Sequence, residues 1–593
     1  MLSVGLLQRS LELTLSINMS GLKNVKSPVS NIEKKVKKNT FSVNPNNLKR
    51  KSKAHSQMKS PYLNQSSESS FVSKPLSPSI SAINNMQEFW FNLQQEVSYS
   101  SSSSEEFTEL LDVINNADSC QTIQLPSQHI VLPHLCLNKP LTIRGSPGTV
   151  LEIRNGSITV NLNQNSQRQK VEICEVELVY RVDKLSSKGP FALFVLEGPN
   201  DLLEVSDCTL RSENTMSKIA FEAAVWHEIE DVCFWLNGHA FSKFCTPQQV
   251  NYNSHLVLKS CNISFFYEAI RGGVNSSVDI ERTQILDSKG TALTLVNPQK
   301  LTCSDSKISR PLKNCVDIRL VSEHNSLPKS ITFKRCKFKS AKGYGVYVWS
   351  EHITTYSAAL NLHYCFFLNN NKKGLSVVHL NLKSCFIEGN EFRNNQKSNC
   401  WLQKVNIETN HSIRIVQNKT SESLKGYGMY LYDVSAEISG LECWKNTLGG
   451  VLIGGSKEKL YRLISISNSN LHHNFENALN IINLSLGEVS LHKVKMNENI
   501  GNGVYILEML STHVQVNLTG CQVTKNSLFG MIVSKAKCQL KDCKFESNYK
   551  GDLSMDDQTK KLVHIKNNYR KKAPFNIEIE DRKPHCKETC TVL

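Results

Sequence analysis

The chain has 593 residues, 40% of them hydrophobic and 21% charged, and a formal net charge of +16. That apolar content can fill a large core, yet no run approaches the ~18 consecutive apolar residues that a membrane-spanning helix needs. The 19 cysteines are an odd number, spread along the chain, which excludes a small disulfide-stapled scaffold and fits buried thiols in a reducing compartment.

The opening residues, Met1 to Arg9, lack the charged start, long apolar centre and small-residue cleavage site of a secretory signal, and read as mature sequence with Met19 as an alternative start. Residues 1–105 are rich in Ser, Asn and Lys and include a five-serine run ending at Ser104. Such a composition cannot offset chain entropy by burial, so a disordered tail is expected. Residues 1–85 hold 13 Lys or Arg against 3 Glu, so much of the basic character belongs to this tail. The clusters Lys34-Lys35-Val36-Lys37-Lys38 and Lys49-Arg50-Lys51-Ser52-Lys53 suit nuclear import, anionic lipid or nucleic acid, or serve only as solvated charge. Ser27-Pro28, Ser60-Pro61 and Ser77-Pro78 are phosphate acceptors that would weaken such binding. Residues 86–95 form a short aromatic island.

From about residue 106 a repeat takes over. An alternating strand leads to Cys, Ser or Thr, then any residue, then an apolar one, as in Leu256–Ile263, Ile331–Phe338, Leu360–Phe367 and Leu380–Ile387. A second strand follows a glycine, as in Gly345-Val-Tyr-Val348, Gly428-Met-Tyr-Leu431 and Gly503-Val-Tyr-Ile506. Alternation buries one face of each strand. Equivalent positions recur every ~20–30 residues in the same order, the signature of a solenoid coil and not of the hairpins of a sandwich. Like residues then stack in parallel. Apolar positions form interior ladders, small Cys, Ser or Thr residues fill a tight bend, and Asn446, Asn474, Asn499, Asn526 and Asn548 cap turns through neighbouring turn backbone. Glycine is expected to supply positive φ at the bends. Roughly 18 coils at ~4.8 Å each would give a rod of about 85 Å.

The start of the repeat has a helical spacing at Phe107, Leu110, Leu111 and Ile114, then Thr122-Ile-Gln-Leu125 with Pro126, then Leu137-Asn-Lys-Pro-Leu-Thr-Ile-Arg-Gly145. These stretches resemble the capping helix and first coils of the pectin-lyase-like superfamily of parallel β-helix proteins, over about three quarters of the chain. The fold expected is therefore all-β: a right-handed parallel β-helix solenoid with a short N-terminal capping helix and a disordered N-terminal tail. The domains read as 1–105, the tail; 106–555, the β-helix; and 556–593, a flexible basic tail. Two stretches depart from the pattern. Residues 213–250 are unusually aromatic, and either a partner patch at Trp226, Phe234 and Trp235 or local core packing is expected there; residues 396–425 interrupt the coils with polar sequence.

The resemblance implies two functional classes. Secreted members of the superfamily cleave acidic polysaccharides, with clustered acids for hydrolysis or with acid-bound calcium and a basic proton abstractor for elimination. Asp279, Asp287, Asp305 and Asp317 are the candidate acids. The hydrolase series N-T-D, D-D, G-H-G and R-x-K does not occur in order; Gly238-His239-Ala240 lacks flanking partners, and Asp556-Asp557 lies beyond the coils. His472-His473 has no ligand spacing, so no catalytic residue, metal or cofactor is assigned. The intracellular eukaryotic branch, which includes F-box-linked and signalling-adaptor-binding proteins, is similar in lacking active sites, although the first 105 residues carry no F-box.

The sequence closes on Cys590-Thr-Val-Leu593, which matches a prenylation box with Leu593 favouring geranylgeranyl, and Cys586 upstream could take a palmitoyl chain as second anchor. The expectation is thus a non-catalytic protein-interaction scaffold. A prenyltransferase would modify it at Cys590 and tether it to cytoplasmic membrane surfaces, with the nucleus as an alternative location. It would bind protein partners and not nucleic acid. The rival expectation is a carbohydrate-active β-helix enzyme acting on acidic polysaccharide.

Overall fold

A computed structural model describes residues 104–566 and 577–578, apart from 163–169, 183–190, 197–200, 215–230, 237–253, 321–329, 356–357, 408–411, 459–460, 508 and 510–512. All of these belong to one compact unit, Ser98–Leu593. It is a right-handed parallel β-helix. Among the described residues three sheets hold 17, 16 and 17 strands, and every strand pairs with its counterpart one coil away in parallel register.

Each coil lays one strand in each sheet. In one turn of the helix Ser330–Lys334 lies in the first sheet, Lys337–Lys339 in the second and Val346–Thr355 in the third. The inward residues of these strands are the apolar ones the alternation marks. Phe338, Phe367 and Phe392 stack at centroid spacings of 5.1 and 4.6 Å along the interior. Identical ring positions in successive coils put ring on ring, which fills the core without voids.

Two corners shape the coil. The corner between the first and second sheets places one residue in the left-handed region, for example Arg335 at φ 53° and Tyr364 at φ 56°. The next residue is the small one: Cys336 and Cys365 are buried, as are Thr283 and Ser306 in earlier coils. Burial pushes the Cys261 thiol up to about 11, so it is an inert packing group.

The second corner carries the asparagines. Asn474 accepts from the Asn446 backbone N–H at 3.2 Å, and its Nδ2 donates to the Cys443 carbonyl at 3.2 Å and to Asn499 Oδ1 at 3.0 Å. Asn499, Asn526 and Asn548 continue the ladder in the same geometry. Each amide thus satisfies turn backbone of the coil before it, and Asn474, Asn499 and Asn526 each bond the asparagine of the coil after.

Some glycines at the bends adopt positive φ as expected, among them Gly389, Gly440 and Gly520, but those that open the third-sheet strands include others with a different purpose. Gly345 and Gly450 do not adopt positive φ, while ordinary residues such as Asn369, Lys445 and Glu498 do. A Cβ on Gly450 would lie 2.4 Å from the Ala478 carbonyl oxygen and 3.1 Å from Asn474 Nδ2. Glycine is there because the ladder leaves no room for a side chain.

Ser104–Asn116 is the capping helix. Ile114 is buried, Leu110 and Leu111 pack on the first coils, and Lys139 Nζ donates to the Asn115 carbonyl at 2.7 Å, covering the helix C-terminus. The winding extends past residue 555: Val563–Lys566 joins the first sheet and Ile577–Glu578 the third. The polar stretch 396–425 proves to be regular coil, with Cys400–Ile407, Ile413–Val416 and Lys419–Ser421 in the three sheets. It carries Asn418 at the tight corner, where the amide accepts from Asn390 and donates to the Ile387 carbonyl.

Candidate functional site

The residues expected to act lie apart. Asp279 is on the outer face of the first sheet, 2.8 Å from His255 and 2.9 Å from Lys300, and those partners hold its carboxyl at about 2 despite partial burial. Asp305 sits at the first corner and accepts both nitrogens of Arg335 at 2.5 and 2.6 Å. Asp287 sits at the second corner, paired in the same way with Arg310. Asp317 is on the third sheet. The four carboxylates therefore form no cluster. Among the described residues no group of three or more His, Cys, Asp or Glu side chains could hold a metal ion.

The expected partner patch also separates. Phe234 is fully buried and stacked on Phe194 at 4.9 Å, because it occupies an inward position of Val232–Leu236 in register with Ala192–Leu196. It belongs to the core. Trp235, the next residue, faces outward with the Arg271 guanidinium 5.0 Å from its ring. Trp226, Cys586 and Cys590 lie outside the described residues.

A different constellation occupies the outer face of the third sheet. Register places Asp317, Tyr347, Ser376, Trp401 and Tyr430 in one outward row, one per coil. Rings crowd this row and its borders. Tyr347 stacks on Tyr344 at 4.6 Å and on Trp349 at 5.6 Å, and Trp401 stacks on Tyr430 at 3.5 Å with 2° between the planes. Ser376 is the small residue between the two groups of rings, and the Lys373 side chain lies there. Its Nζ is 3.3 Å from the centroid of Trp401 and 6.0 Å from that of Tyr344. Lys372 lies over the Tyr344 ring at 5.0 Å.

The electrostatics of this row are unusual. Burial, then the like charges of Lys397 and Lys372, lower the Lys373 amine to about 7. The indole face of Trp401 favours the ammonium and opposes this lowering. Asp317 is shifted upward by burial, against hydrogen bonds from Trp349 Nε1 and Asn314 Nδ2, each 2.8 Å, and the charge of Arg319. Burial also pushes the Tyr347 phenol up to about 12. An amine near 7, cationic neighbours and a rim of phenols and indoles together can bind an anionic polymer and take a proton from it.

No family model matches the chain, and no curated protein does. Among solved structures it is similar to a periplasmic alginate epimerase variant, at 10% identity over 86% of this chain and 100% of that one, with a TM-score of 0.26. It is also similar to the catalytic domain of a GH87 α-1,3-glucanase, at 11% identity over 71% of this chain and 67% of that one, with a TM-score of 0.34. A bacteriophage tailspike protein matches at 8% identity over 80% and 60%, with a TM-score of 0.32. These likenesses are of winding alone. They do correct one expectation: a chain without catalysis was inferred from the branch its coils resemble, whereas the chains found with such winding include an epimerase and a glucanase.

Proposed function

We propose that this is a carbohydrate-active β-helix protein that acts on an acidic polysaccharide along the outer face of its third sheet. The observation that carries the reading is the Lys373 amine, set against Trp401 and held at about 7 beside Lys372 and Lys397. A general base works best when its pKa lies near the working pH. A uronate unit laid across the notch above Ser376 presents its carboxylate to Lys372 and Lys397, which stabilise the charge that grows on it. Neutral Lys373 takes the proton on the carbon next to that carboxylate. The C–H electron pair becomes a carbon–carbon double bond as the glycosidic C–O bond at the following carbon breaks, and the departing oxygen takes a proton from water. The phenols and indoles of Tyr344, Tyr347, Trp401 and Tyr430 position the sugars.

The test is release of unsaturated products from a panel of acidic glycans by the wild type, Lys373→Ala and Asp305→Ala. Turnover that disappears in Lys373→Ala and persists in Asp305→Ala supports the site. Turnover that survives Lys373→Ala, or none on any acidic glycan, rules the reading out.

A further inference from the structure

The turns between the second and third sheets form a straight outer ridge, because backbone hydrogen bonds tie each to the next. Leu424 N–H donates to the Asn395 carbonyl at 3.1 Å, Phe475 to Asn446 at 3.0 Å, Ile500 to Asn474 at 2.9 Å and Tyr549 to Asn526 at 3.0 Å. The residue that follows the buried asparagine or its equivalent is thereby lifted to the crest in every coil, at about 4.8 Å per step. Along the C-terminal half most of these crest residues are apolar and open to solvent: Leu424 is 54% exposed, Phe475 52%, Ile500 55% and Tyr549 86%, with Leu448 beside them at 44%, while Thr447 and Ser527 hold the equivalent place in the coils between. Half-exposed Leu, Phe and Ile side chains along one crest are not the scattered apolar residues of an ordinary surface.

The N-terminal half of the same ridge is cationic. Lys313, Lys342, Lys372, Lys397 and Lys425 are exposed on consecutive turns, and between Ser288 and Gly551 the acidic residues of the ridge turns are Glu422, Glu476 and Glu498, of which Glu422 pairs with Arg393 and Glu498 with His473 and Lys525. The crest is convex, so its side chains fit no pocket of their own and need a partner that yields around separate protruding groups. The lysines ask for negative charge, and the Leu, Phe, Ile and Tyr tips ask for an apolar layer just beneath it. An anionic bilayer surface offers both at the required depth. We propose that this ridge seats the rod on an anionic lipid membrane, with the lysines on the headgroups and Leu448, Phe475 and Ile500 in the acyl boundary. The ridge shares Lys372 and Lys397 with the polysaccharide site on the sheet face beside it, whereas Lys313, Lys342, Lys425 and the apolar crest belong to the ridge alone.

The experiment is co-sedimentation of the full chain, produced in bacteria so that no prenyl group is attached, with vesicles of phosphatidylcholine alone or with about one third phosphatidylserine. The wild type, Phe475→Ser/Ile500→Ser and Lys342→Glu/Lys425→Glu are compared, with thermal melts to confirm that these surface changes leave the fold intact. The proposal expects binding to the anionic vesicles, little to the neutral ones, and a loss of at least about tenfold in partitioning for each variant. It is overturned if the wild type stays in the supernatant with both vesicles, or if both variants bind as the wild type does. It is equally overturned if the ridge variants lose only binding to a soluble acidic oligosaccharide, which would make the ridge part of the sugar site.

Discussion

The Lys373 amine lies 3.3 Å from the centre of the Trp401 indole, although the two residues belong to successive coils. Register puts Ser376, and not another ring, beneath Trp401, and the space left by that serine is what the lysine enters. The site is therefore a product of stacking, and each of its residues depends on the coil before or after it.

A lysine whose folded pKa is lowered destabilises the folded state while it is charged. Below about 7 both states are protonated and the cost is full; it fades as the pH rises from about 7 towards the unfolded value near 10.5. Lys373→Met is accordingly expected to stabilise the chain by on the order of 1–2 kcal/mol at pH 6 and by much less at pH 10. Urea unfolding at the two pH values measures this. The rate of proton abstraction by the wild type should rise through pH 7 for the same reason.

Asp279 gives the opposite sign. Hydrogen bonds and charges from His255 and Lys300 hold its folded pKa at about 2, below the ordinary 3.8. Its contribution is present above 3.8 and is lost as the pH falls towards 2. Asp279→Asn is expected to cost about 1–2 kcal/mol at pH 7 and almost nothing at pH 2. Acid titration of both proteins by circular dichroism would show the two curves converging.

Asn474 holds the turn backbone of the coil before it. Its replacement by Ala leaves the Asn446 N–H and the Cys443 carbonyl buried without partners, at an expected cost of ~2–4 kcal/mol. Gly450→Ala drives a methyl group into the Ala478 carbonyl and the Asn474 amide, and overpacking of this kind costs ~1–3 kcal/mol. Because both changes disturb one contact, the double mutant should be less destabilised than the sum of the two. A chevron or equilibrium urea series resolves this.

The solenoid could be read from the sequence because its signals are local. Leu256-Val-Leu-Lys-Ser-Cys261 states its own alternation and its own corner, and the ladder asparagines announce themselves by recurring before each second strand. Tyr347, Tyr430 and Tyr505 were visible too, as outward residues after a glycine. Their grouping was not. Coils differ in length, so only the parallel register shows that Trp401, from a stretch that reads as an interruption, stands directly beside Tyr430. Lys373 looked like one more turn lysine because its burial comes from rings of the coils on either side. Phe234 and Trp235 show the reverse: aromatic content suggested a surface patch or core packing for both, whereas adjacent positions of Val232–Leu236 send Phe234 inward and Trp235 out.

The central claim is that an acidic polysaccharide lies along Lys372, Lys373 and Lys397 on the third sheet. Lysine acylation footprinting at pH 7, read by mass spectrometry with and without a soluble oligouronate, tests it most directly. Protection of Lys373 with Lys372 and Lys397, and unchanged labelling of Lys541 and Lys544, is the predicted result. Protection spread evenly over the lysines, or confined to the first sheet around Lys300, would contradict it.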